Sequence, residues 1–209
     1  MNISKKILII APHADDEVLG VGGTTHKMLS EGNEVYLLVC SKRKNDLEEY
    51  TEAMAHFTGY KWLDLQDESL EVVKGYLLKG VEDYYNEIKP DIVFIPNKDD
   101  FNSDHKAVHS VCEIVCRRYQ KNSPAAILMY EVPSSTTQSF NNNFHCNYYI
   151  TLKRENLTHK VGVMTYYKNE IREYPNPRSS EGILTYAKFR GMECNSEYAE
   201  GFKLIYKKL

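Results

Sequence analysis

The run Ile7-Leu8-Ile9-Ile10 is apolar at every position and is followed almost at once by Pro12. A strand with one wet face alternates polar and apolar residues. A strand without that alternation is covered on both faces, as inside a parallel sheet. The pattern recurs at 35–39 and 92–95, and helical periodicity fills the intervals at 24–31, 47–58 and 70–88, with stops at Gly32, Gly59 and Pro90. A short strand is expected at 62–65 and a helix at 106–119. Alternating strand and helix builds a Rossmann-like α/β fold, a mostly parallel sheet flanked by helices. Beyond Pro124 the character changes. Strands are expected at 127–132, 147–152 and 203–206, a polar loop at 134–143, and helices at 155–174 and 180–191. No repeat or low-complexity linker interrupts the chain, so residues 1–209 read as a single domain with a core at 1–124 and a C-terminal extension at 125–209.

Directly after the first strand comes Pro12-His13-Ala14-Asp15-Asp16-Glu17. In open parallel sheets ligands bind at the carboxyl ends of strands. Ionisable groups gathered there are costly to bury without compensation, and a divalent cation supplies it. Imidazole with carboxylate suits zinc, which can keep a coordination position for water. A solvated acidic turn capping the next helix is the competing reading. A second segment, Asn102-Ser103-Asp104-His105, follows the strand at 92–95 and opens onto the same sheet edge. Together they offer two histidines and one carboxylate, His13, Asp16 and His105, with Asp104 able to orient a ligand imidazole from behind. Zn2+ is preferred, although these ligands also accept Fe2+.

Other residues narrow the choice. A net charge of −3 without a basic run excludes nucleic acid as the expected partner. No apolar run approaches the roughly 20 residues needed for a membrane span. Five scattered cysteines and a polar start suit a cytoplasmic location, with Cys112 and Cys116 as core residues. Gly20, Gly22 and Gly23 make a poor phosphate fingerprint after an acidic turn and read as close-packing positions. Arg43 and Lys44 can meet a sugar, or simply be solvated. Arg178 and Arg190 read as braces to carboxylates such as Glu200.

The chain resembles the LmbE-like or PIG-L N-acetylglucosaminyl deacetylases. The resemblance rests on Ala11-Pro12-His13-Ala14-Asp15-Asp16-Glu17, close to that family's Ala-His-Pro-Asp-Asp-Glu motif, and on Asn102-Ser103-Asp104-His105, close to His-Pro-Asp-His. Later stretches at 130–135, 177–179, 190–191 and 199–202 look like those of its surface-polysaccharide branch. The resemblance implies a zinc-dependent hydrolase that removes the acetyl group of an N-acetylglucosamine-type sugar. Zinc would be held by His13, Asp16 and His105, and Asp15 would be the general base for the attacking water. The partner it implies is a small N-acetylated sugar or sugar conjugate, and it allows a homo-oligomer. Asn102 stands where the family has a His. Asn can donate a hydrogen bond to an oxyanion but cannot act as an acid, so His109 or His145 is a candidate substitute. The alternatives are a zinc amidase for another small N-acyl substrate and a catalytically weak metal- or sugar-binding homologue.

Overall fold

A computed structural model describes residues 4–42, 47–140 and 144–208. Its first strand, β1 (Lys6–Ala11), shows why a continuous apolar run was needed. Successive side chains of a strand point to opposite faces. Ile7, Ile9 and Ala11 enter one core cluster, and Leu8 and Ile10 enter another on the far side of the sheet. The first cluster is closed by α1 (Asp16–Ser30), α2 (Leu47–Met54), α6 (Arg154–Met164) and α7 (Ser180–Glu193). The second is closed by α3 (Lys74–Ile88) and α4 (Ser103–Val115).

The remaining strands are β2 (Glu34–Lys42), β3 (Gly59–Gln66), β4 (Ile92–Pro96), β5 (Ala126–Tyr130), β6 (Tyr148–Leu152) and β7 (Tyr198–Lys207), and a short helix, α5 (Pro133–Thr136), follows β5. The seven strands form one sheet in the order β3-β2-β1-β4-β5-β7-β6. β1 to β5 are parallel, while β7 runs antiparallel to both β5 and β6. The chain moves outward from β1 to β2 and β3, then crosses back to place β4 on the other side of β1. The loops leaving β1 and β4 therefore diverge, and a crevice opens between them at the carboxyl ends. The architecture is a single α/β domain with a mostly parallel sheet, as expected from the sequence. Strands from both sides of residue 124 belong to that sheet.

Several boundaries differ from the sequence reading. The first helix begins at Asp16, not near residue 24, so Gly20, Gly22 and Gly23 lie inside it. Glycine is a poor helix former, and three of them mask the helical pattern. They are tolerated because neighbours sit against the bare backbone: a Cβ on Gly20 would stand 2.3 Å from Tyr130 Cδ2, and one on Gly23 would stand 2.5 Å from Leu152 Cδ1. At the same place a buried ion pair joins three elements. Glu200 of β7 accepts the N–H groups of Gly23 and Thr24, and Lys160 of α6 donates to Glu200 and to the Leu19 carbonyl of α1. Helix α6 stops at Met164, well before residue 174. The N–H groups of Thr165, Tyr166 and Tyr167 then bond three residues back, a tightening that turns Tyr167 into the interior. Part of the expected loop at 134–143 is the short helix α5.

Gly20→Ala is expected to destabilise the fold by about 1–3 kcal/mol, because the methyl group meets an immobile ring and the Glu131 carbonyl. Gly162→Ala, with nothing within 4 Å of its Cβ, should be neutral or stabilising by about 0.5–1 kcal/mol. Urea unfolding midpoints should move in opposite directions. Equal shifts for the two would show that helix propensity, not crowding, governs α1.

Candidate metal centre and active site

After Ala11 the chain leaves the sheet, and the Pro12 carbonyl is fixed by the N–H and hydroxyl of Ser41 on β2. Asp15 then adopts φ 105°, a left-handed conformation uncommon outside glycine, and forms the N-cap of α1. Its carbonyl accepts from Val18 and Leu19, but its side chain does not cap the helix. Glu17 accepts the Asp15 N–H and receives the Tyr167 hydroxyl, which locks the turn from below. Burial pushes the Glu17 carboxyl up to about 8; the Tyr167 hydroxyl opposes this, and the Asp15 and Asp16 charges add to it.

The turn aims His13 and Asp16 across the crevice at His105, which lies in the first turn of α4. His13 Nδ1 is 3.1 Å from Asp16 Oδ2 and 3.2 Å from His105 Nε2, and His105 Nε2 is 3.1 Å from Asp16 Oδ2. Ligands 2.0–2.1 Å from a tetrahedral zinc stand about 3.3 Å apart, so this near-equilateral triangle fits one face of such a site. All three side chains are buried. His13, Asp67 and Asp104 form a second close group. There His13 Nε2 lies 3.0 Å from Asp67 Oδ1 and 3.3 Å from Asp104 Oδ2. A ring that presents Nδ1 to an ion donates from Nε2, and these carboxylates stand ready to accept.

Asp104 also accepts the N–H groups of Glu68 and Leu70, and so ties the loop after β3 to α4. It stands behind His13 and off the cavity wall, a place suited to orientation rather than to contact with substrate. Asp100 plays the corresponding part for His105, 3.4 Å from Nδ1, and is itself held by the hydroxyls of Ser135 and Thr136. Asn102 caps α4 with Oδ1 accepting from the Asp104 N–H, which leaves its Nδ2 as the donor available to a ligand.

The electrostatics show which charge the cluster favours. Burial alone would strip the proton from both imidazoles. Instead Asp104, Asp16 and Asp67 raise His13 well above its ordinary value, and Asp16 with Asp100 lifts His105 to about 9. Burial would favour a neutral Asp16, yet the two imidazoles hold its pKa well below the usual carboxylate range. Four carboxylates thus surround two imidazoles and draw positive charge into a buried site, which is the demand a divalent cation meets.

A cavity of about 260 Å³ opens over this cluster, lined by His13, Asp16, Phe101, Asn102, His105, Ser134, Ser135, Arg172, Asn176 and Arg178. Asp15 is fully buried just outside that lining. Arg178 lies between it and the cavity, with Nη1 3.3 Å from Asp15 Oδ2, and also bonds Ser134 and Glu170. Sequence reasoning missed Arg178 as a member of the site and assigned it a bracing role near Glu200. Lys160 takes Glu200 instead, and Arg190 pairs with Glu131 and Glu193. Asp67 and Asp100 were missed too, although each follows a strand's carboxyl end. Neither His109 nor His145 lines the cavity. His109 bonds the Pro96 carbonyl, and His145 is exposed. Arg43 and Lys44 lie outside the described residues.

Comparison with known proteins adds two findings. The sequence model of the PIG-L family, described as GlcNAc-PI de-N-acetylase, matches residues 8–116. Among solved structures, the conserved protein TT1542 from Thermus thermophilus is 20% identical over 98% of this chain and 96% of its own, with a TM-score of 0.80. The N,N'-diacetylchitobiose deacetylase from Pyrococcus horikoshii is 20% identical over 97% and 84%, with a TM-score of 0.76. GalB, the 4-carboxy-2-hydroxymuconate hydratase from Pseudomonas putida, is 16% identical over 98% of both chains, with a TM-score of 0.75. These structures share the fold, and the hydratase shows that the fold serves more than one chemistry.

Zinc affinity should rise with pH as far as about 9, beyond the ordinary histidine range. The metal-free site holds protons that a ligated imidazole must release, and His105 keeps its proton to about that pH. Asp104→Asn should weaken Zn2+ binding about 10–100-fold and His105→Ala by more. Calorimetric titration at several pH values checks both. An affinity that levels off near pH 6.5 would mean the carboxylates do not hold these protons.

Proposed function

The chain belongs to the PIG-L family, and from that premise we propose that it is a metal-dependent N-deacetylase that releases acetate from an N-acetylglucosamine-type sugar or sugar conjugate. The observation that carries the proposal is the triangle of His13 Nδ1, Asp16 Oδ2 and His105 Nε2 beneath a polar cavity. These three residues would hold the ion, and Zn2+ suits their donor set. When bound, zinc supplies Lewis acidity, lowering the pKa of a water and polarising the acetamide carbonyl.

The protein's own groups supply the rest. Asp15 takes a proton from the attacking water and passes it to the departing amine nitrogen. Its left-handed turn presents the carboxylate to Arg178 in place of capping α1. Arg178 balances the buried Asp15 charge, and Glu170 and Ser134 hold the guanidinium in place. For water to reach Asp15, Arg178 must swing aside, and incoming substrate would drive that movement. Asn102 Nδ2 donates to the carbonyl oxygen as negative charge develops there. Phe101 offers an exposed ring at the cavity mouth for a pyranose face, with Ser134, Asn176 and Arg172 around it as hydrogen-bonding groups. Among the described residues no helix is long and apolar enough to cross a membrane.

The zinc-loaded protein should release acetate from N-acetylglucosamine, from its glycosides or from its nucleotide conjugates. Release from a non-sugar amide alone would make it an amidase of another class, and no acetate from any amide would end the hydrolase reading. Asp15→Asn should reduce kcat about 10²–10⁴-fold with little change in KM. Arg178→Ala should also lower kcat, and Arg178→Lys should recover part of the loss. Full turnover in Asp15→Asn would remove it as the base.

A further inference from the structure

Away from the cavity, three imidazoles from three elements meet on one outer face. His26 lies on α1, ten residues past Asp16 and so about 15 Å along the helix from the site described above. His56 lies in the turn after α2, and His159 lies on α6. His159 Nε2 and His56 Nδ1 are 3.2 Å apart, with ring planes at 90° and centroids 4.8 Å apart. The two nitrogens are within hydrogen-bond distance, and the rings meet edge to face rather than end to end. The His26 ring stacks against His159, with centroids 4.2 Å apart and planes tilted by 31°.

Asn156 fixes this arrangement. Its Oδ1 accepts the Lys153 N–H at the start of α6, so Nδ2 is left to donate to His26 Nδ1 at 3.0 Å. His26 is thereby set as a brace behind His159. The inner nitrogen of His159, Nδ1, has no hydrogen-bond partner among the described residues. All three rings are half-buried, close enough to solvent for water to complete a coordination shell.

We propose that His56 Nδ1 and His159 Nε2 chelate a second borderline divalent cation, such as Zn2+ or Cu2+, on the outer face where α1, α2 and α6 converge. Nitrogens bound to one tetrahedral zinc stand about 3.3 Å apart, and this pair already has that separation. Borderline ions with an affinity for imidazole suit the donor pair; Mg2+ and Ca2+, which prefer oxygen, do not. The site shares no residue with the His13–Asp16–His105 cluster and does not depend on its assignment.

Equilibrium dialysis against excess free Zn2+, followed by elemental counting, tests it. The wild-type chain is expected to hold two equivalents, and His159→Gln and His56→Gln one each. Both positions are half-buried at the surface, so the second variant serves if the first fails to fold. An unchanged count in both Gln variants would overturn the proposal. His13→Ala separates the two sites: a count that falls only in this variant also overturns the second site. A count that falls in His159→Gln but not in His13→Ala sustains the second site and removes the catalytic one.

Discussion

The cost of burying charge governs the centre of this protein. His13, Asp16, His105, Asp100 and Asp104 are all withdrawn from water within one crevice, and each needs a counter-charge or a donor. Backbone N–H groups answer part of that demand, since Asp104 takes two of them and Asp100 takes one with two hydroxyls. What remains is an excess of carboxylate around two imidazoles whose donor atoms already converge. The same bonds that make the cluster tolerable to bury also fix its geometry. Asp104 ties the loop after β3 to α4 while it orients His13, so folding and site assembly are one event.

This arrangement depends on the sheet. Reversal of strand order between β1 and β4 parts the two loops and lets their ends face one another. The site is therefore a product of topology, and a chain in which β4 followed β3 in space would carry the same motifs without bringing them together. The sequence made this legible because each motif follows an uninterrupted apolar run, and such runs become buried parallel strands. His13, Asp16 and His105 could be placed at one edge from that alone.

Less was legible where contacts are long-range or side chains are ambiguous. The true start of α1 was hidden by three glycines whose reason for being there is Tyr130, Lys160 and Leu152, all more than a hundred residues away. Arg178 could not be assigned from spacing, because its partners Asp15, Ser134 and Glu170 are gathered only by the fold. A guanidinium in a sequence gives no sign of which carboxylate it will meet. Asp67 and Asp100 offered a weak signal, each just beyond a strand, but acidic residues are common there and nothing local separates an orienting carboxylate from a solvated one.

The two halves of the chain contribute different things to the site. Every donor of the candidate metal triangle lies within residues 8–116, the stretch matched by the family model. The control of Asp15 comes from beyond it: Tyr167 locks Glu17 beneath the turn, Arg178 covers the carboxylate, and the Lys160–Glu200 pair holds α1 against β7. The cavity wall divides in the same way, with Ser134, Ser135, Arg172, Asn176 and Arg178 supplied by the later half. Such a division lets the loops of the second half vary while the edge that carries the candidate metal triangle stays fixed. Among proteins that share the first half, choice of substrate should therefore follow residues that a motif search does not see.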